Sequence, residues 1–146
     1  MSGSWSPEEL PNLRESDHEI KSKATIAYNC FAWAAEETHR RWDPYVYHWP
    51  KGVRRELTME AFVEAYSTKG YELCDTPDRE AGFQKIAIYA DSQGIPTHAA
   101  RQLDSGKWTS KIGEYEDIDH ESLECIEGDG ELCYGRAAKY MKRRIP

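Results

Sequence analysis

The apolar positions fall into short, separated blocks, and the densest opens at Ala27. Cys30, Phe31, Ala34, Ala35 and Thr38 recur at helical spacing, and 31–35 is apolar throughout. This predicts a first helix from about Asn29 to Arg40, buried on most sides, with Asn29 as its cap. A second stripe, Ala61, Phe62, Ala65 and Tyr66, follows Thr58 and ends before Gly70. It predicts a helix from an N-cap at Thr58 to about Thr68. The period then changes from helix to strand. Strands are expected at 71–74, 84–90, 96–103 and 107–112, with turns at 91–94 and 104–106. A short helix opening at Asp119 or His120 should run through Ile126, a turn should occupy 128–130, and 134–143 is a last strand or a helix, with Gly135 and Tyr140 favouring strand. Residues 1–25 are polar and carry Pro7 and Pro11. They read as an arm packed over a single α+β domain at 26–146, its N-terminal helices packed on an antiparallel β-meander.

Between the helices lies Trp42-Asp43-Pro44-Tyr45-Val46-Tyr47-His48-Trp49-Pro50. Prolines make this segment irregular. Its aromatic side chains either plug the core or line a cleft beside the first helix, and both readings stay open.

Composition narrows the class. At 39% hydrophobic and 31% charged over 146 residues, the chain is a globular domain able to bury a core without disulfides. A net charge of -7 argues against a nucleic-acid-binding face. Only 139–144 reads as locally basic, as a solvated strand or tail. No apolar run is long enough for a membrane span, and the N-terminus has no secretory pattern. The expectation is a cytoplasmic protein with no membrane or nucleic-acid partner, no cofactor and no metal. Cys30, Cys74, Cys125 and Cys133 match no CxxC spacing and should be reduced thiols.

Candidate chemistry centres on Cys30, because a thiol at a helix start is favoured as thiolate. His98 is the one histidine inside an expected strand, so it is the candidate general base. A turn centred on Asp104 puts Ser110 opposite His98 on the same face, where it would orient the imidazole. Lys111 then points to the other face unless the turn adds a bulge. The backbone N–H of Cys30, with Tyr28, would form an oxyanion hole. Tyr28, Asn29, Trp33 and Lys111, with Trp42, Tyr47 and Trp49 of the loop, would line the substrate cleft. Cys74, Cys125 and Cys133 read as ordinary core or surface thiols.

The segments Tyr-Asn-Cys-Phe-Ala-Trp-Ala at 28–34, Thr-His-Ala-Ala-Arg-Gln at 97–102 and Gly-Lys-Trp-Thr-Ser-Lys-Ile-Gly at 106–113 resemble a family of small bacterial proteins. That family is in turn similar to the papain-like Cys-His amidases of the NlpC and CHAP kind. The resemblance implies a papain-like core with Cys30, His98 and Ser110 in the catalytic places. It also implies a thiol hydrolase or transferase acting on an amide or related acyl bond of a peptide-like or acyl substrate. The alternative is a catalytically inactive module of the same fold that binds a protein partner or small ligand through the aromatic loop 42–49. Oligomeric state is not legible.

Overall fold

The computed structural model describes residues 3–6, 8–14, 17–128 and 134–145. Cys133 and most of the turn expected at 128–130 lie outside them. The elements run β1 (His18–Ile20), α1 (Cys30–Ala34), α2 (Met59–Ser67), β2 (Glu72–Cys74), β3 (Phe83–Ala90), β4 (Pro96–Gln102), β5 (Trp108–Lys111), β6 (Asp117–His120), a 3-10 turn (Leu123–Ile126) and β7 (Arg136–Arg144). All seven strands form one antiparallel sheet in the order β1-β6-β5-β4-β3-β7-β2. The domain is thus mostly sheet with few helices, α+β in the loose sense. β3 to β5 make the expected meander, β6 extends it by one strand, and β7 returns to the free side of β3.

The sheet is covered on both faces. On the front, α1, α2, Trp42 and Trp49 pack on Ile86, Ile88, Ala99 and Met141. On the rear, Leu10 and the 3-10 turn pack on Ala87, Tyr89, Ala100 and Trp108. Double cover explains why β3 is buried at six successive positions although it is antiparallel.

Two elements, and the burial of one of them, differ from expectation. α1 is one turn long and does not reach Arg40. Glu36 adopts φ 63, Glu36 N–H donates to Trp33 O (3.0 Å), and Glu37 N–H donates to Ala32 O (2.9 Å). That is a Schellman stop with glutamate where glycine is usual. Glu36 takes the strained backbone while its carboxylate holds Arg143 of β7 at 2.6 Å. Second, 117–120 is a strand and not a helix start. Asp119 pairs with Thr109 and with Glu19 of β1. The polar arm supplies that edge strand, and its Leu10 is 1% exposed, so acidic residues held between two strands read misleadingly as a helix start. Asp117 and His120 of that strand are buried.

Candidate functional site

Cys30 opens α1 as the spacing predicted. Asn29 caps it by accepting from Ala32 N–H at 3.1 Å. The same Asn29 Oδ1 accepts from Trp42 N–H (3.0 Å), and Nδ2 donates to Trp42 O (2.6 Å). Asn29 therefore staples the aromatic loop to α1, and its polar atoms are taken by the fold rather than left for a substrate.

α1 lies across β4 and β5. Strand alternation decides what it meets. Ala99 packs with the front core, whereas His98 pairs with Tyr89 and stacks on Tyr134 at 4.0 Å between centroids, on the rear. Cys30 and His98 are thus on opposite faces of the sheet, and the expected Cys30–His98 pairing is not formed. His98 and Ser110 do come together, with Nε2 3.0 Å from Oγ. The register differs from the arithmetic by two residues, because Thr109 pairs with Arg101 and the turn centres on Ser105. Gly106 at φ 91 and the Leu103 N–H bond to Lys107 O (2.7 Å) mark a three-residue loop. A shift of two preserves the face, so Ser110 stays with His98 and Lys111 goes to the front.

On the rear the relay continues. Ser110 Oγ lies 2.8 Å from His120 Nε2, and His120 Nδ1 lies 2.8 Å from Ser122 O. A carbonyl only accepts, so a neutral His120 carries its proton on Nδ1. Ser110 then donates to His120 Nε2 and accepts from His98 Nε2–H. His98 Nδ1 is left as a buried lone pair with no partner among the described residues. Burial lowers both imidazoles, His120 to about 4 and His98 well below its ordinary range. The relay is neutral and closed, facing away from the thiol.

The front face holds Cys30, Tyr28, Trp33, Lys111 and Asp117. Burial pushes the Cys30 thiol up to about 12, although the backbone N–H groups of Ala99, Phe31 and Cys30, and Lys111, each favour the thiolate. Those interactions lose to desolvation. Lys111 is fully buried; its Nζ donates to Gly113 O (2.8 Å) and Tyr115 O, and burial lowers its pKa. Tyr28 donates to Asp117 Oδ2, which also accepts from Ser22 Oγ at 2.6 Å. Burial, reinforced by Asp117, raises the Tyr28 hydroxyl to about 12. Trp33 Nε1 donates to Thr109 Oγ at 3.1 Å. Sequence reasoning missed Asp117, because its place opposite Lys111 depends on the β5–β6 pairing that only the fold provides. Among the described residues, no three His, Cys, Asp or Glu side chains converge on a point that could hold a metal.

The aromatic loop divides its side chains between both earlier readings. Trp42 and Trp49 are core, 0% and 3% exposed. Trp42 stacks on Tyr66, and its Nε1 donates to Glu37 Oε1 at 2.9 Å. Tyr45, Val46 and Tyr47 instead project outward, 64%, 73% and 47% exposed. Asp43 Oδ1 holds the tip by accepting from Tyr45 N–H (2.7 Å) and Val46 N–H (3.1 Å). Asp43 N–H donates to His48 O and closes the loop's base. The tip is therefore a built projection.

The family described as Domain of unknown function (DUF7689) matches residues 19–142, and the chain belongs to it. No curated protein and no solved structure matches the chain. Among the described residues no helix is long and apolar enough to cross a membrane.

Proposed function

We propose that this member of the DUF7689 family is a non-catalytic module that binds a protein partner through the aromatic loop 42–49. One observation carries the reading: three consecutive large side chains, Tyr45, Val46 and Tyr47, stand in solvent on a loop whose backbone is hydrogen-bonded into place. Exposing such a cluster costs solvation free energy, and a fixed loop lowers the ordering cost of binding. A cysteine-opened helix laid across an antiparallel meander supports reading the module as an inactive relative of the papain-like Cys-His amidases.

A thiol hydrolase or transferase acting on an amide bond would need a base beside the sulfur. The Cys30 thiol is held protonated by burial, the amine of Lys111 is spent on two carbonyls, and the His98 imidazole lies behind the sheet. These features favour binding over catalysis.

Panning a random peptide library displayed on phage against the full chain tests the reading. The expected result is enrichment with wild type and with Cys30→Ser, and none with the triple variant Tyr45→Ser, Val46→Ser, Tyr47→Ser. Enrichment that survives the triple variant, or is lost in Cys30→Ser with the fold intact, would refute the module. Turnover of a thiol-directed acyl probe that depends on Cys30 would restore the enzyme.

A further inference from the structure

The charges around the exposed tip run against the rest of the chain. Between His39 and Arg55 stand five cations, Arg40, Arg41, Lys51, Arg54 and Arg55, and one carboxylate, Asp43, in a protein of net charge -7. Two of the cations are neutralised: Arg40 by Glu37 at 2.7 Å and Arg54 by Glu64 at 2.7 Å. Asp43 is occupied with the loop's own N–H groups. Arg41, Lys51 and Arg55 form no ion pair with another described residue.

Two of them, Arg41 and Arg55, stand at the tip itself, and Lys51 follows it as an exposed residue. The Arg41 guanidinium lies 4.7 Å from the centroid of the Tyr47 ring. Arg55 Nη1 donates to Pro44 O at 3.1 Å, beside Tyr45. Leu57 N–H donates to the Tyr45 hydroxyl at 3.2 Å, which adds a fourth exposed apolar side chain. The following Glu56 is exposed and unpaired among the described residues, so the rim keeps a net positive charge.

Building on the binding-module reading, we infer that the loop's partner is an acidic protein segment carrying apolar side chains, seated with its apolar residues on Tyr45, Val46, Tyr47 and Leu57 and its carboxylates on Arg41, Lys51 and Arg55. At physiological salt, charges more than about 8 Å away are largely screened. The local cations therefore outweigh the distant negative charge in choosing a partner. Base stacking fits the tip less well. Its most exposed side chain is Val46, which has no aromatic face. One face of Tyr47 is covered by Arg41, and the Tyr45 ring is tied to Leu57.

The test uses peptides enriched by panning, synthesised with a fluorescent label and measured by anisotropy against the full chain. The enriched peptides should be acidic and apolar. Replacing their Asp and Glu by Asn and Gln should weaken binding at least about tenfold, as should raising salt from about 0.15 M to about 0.5 M. Lys51→Glu with Arg55→Glu should abolish the preference for the acidic peptide over its Lys-substituted counterpart. Lys51→Glu alone should lower affinity by about threefold; Lys51 makes no hydrogen bond or ion pair with another described residue, so this result does not depend on the Arg55 contact.

Enriched peptides that are neutral or basic, indifferent to both charge reversals but lost in the triple tip variant, would overturn the acidic partner and leave the module standing. Enrichment that survives the tip variant would overturn both. Tighter binding to an oligo-dT strand or to phosphatidylserine vesicles than to the best peptide would overturn the acidic segment in favour of a nucleic acid or an anionic bilayer.

Discussion

Cys30 shows how one residue can have every local feature of a nucleophile and lack the decisive one. It has a helix start and a cap, and neighbouring backbone N–H groups and Lys111 favour its thiolate. Burial leaves its thiolate unsolvated, the imidazole expected as its base lies behind the sheet, and the Lys111 amine on its own side is spent on two carbonyls. With iodoacetamide at about pH 8, a thiol pushed to about 12 is expected to stay unmodified in the native protein while the half-buried Cys74 reacts. Peptide mass spectrometry would read the sites, and rapid native alkylation of Cys30 would contradict the closed site. Trp42 makes the complementary case. Fully buried, stacked on Tyr66 and bonded to Glu37, it is a structural anchor and not the cleft-lining residue that one reading of its segment made it. Trp42→Ala should cost about 3–5 kcal/mol by denaturant unfolding. Asn29→Ala should cost about 2 kcal/mol, because one side chain serves both the α1 cap and the backbone of Trp42.

Among the elements, β-period and turn chemistry were the most legible. Strands β3, β4 and β5 and α2 lie close to their expected places, because alternation and the Thr58 cap are local signals. The same-face relation of His98 and Ser110 followed from parity alone, and it survived a two-residue error in register. Helix α1 was overextended. Its stop depends on Glu36 in a left-handed conformation, held by Arg143 more than a hundred residues away, and nothing local announces that. β6 was misread because its pairing partner β1 comes from the arm. Near the end of the rear face, Gly135 at φ 76 sits where an added Cβ would lie 2.0 Å from Ala90 O. Gly135→Ala must shift two backbones as well as adopt a disfavoured conformation. It should destabilise by at least about 2 kcal/mol, whereas Gly94→Ala, at φ 81 with open space around it, should cost about 1 kcal/mol.

At the scale of the whole molecule, the covered sheet makes stability depend on pH. His98 and His120 are held neutral on the rear face, with folded pKa values below the ordinary 6.5. A histidine lowered in the folded state binds protons more readily when unfolded. Its stabilisation is complete above about pH 6.5 and is lost as pH falls toward about 4. His120 alone should account for about 3 kcal/mol between those limits. Glu37 acts in a lower window. Burial works against its ionisation, but hydrogen bonds from Arg40, Trp42 and Lys69 hold it at about 2 against an ordinary 4.5. Its contribution is present above about pH 4.5 and fades toward pH 2. Urea midpoints at pH 7.5, 6 and 5 should fall steadily, and a flat profile would contradict the neutral relay. His120→Gln should lower stability at neutral pH and flatten the slope.

The local periods, the caps at Asn29 and Thr58, the meander and the parity that joins His98 to Ser110 were all legible in the residues, because each depends on neighbours close along the chain. Which face of the sheet α1 would cover was not, because it depends on long-range packing. Parity assigns residues to two faces without saying which one meets the helix, and that choice came from the packing of Ala99, Ile86 and Ile88 under α1 and α2. It set Cys30 against a backbone wall and left His98 behind it. It also divided the aromatic loop into two buried tryptophans and an exposed tip, since the space beside Tyr66 and Phe62 admits Trp42 and Trp49 while Tyr45, Val46 and Tyr47 remain in solvent.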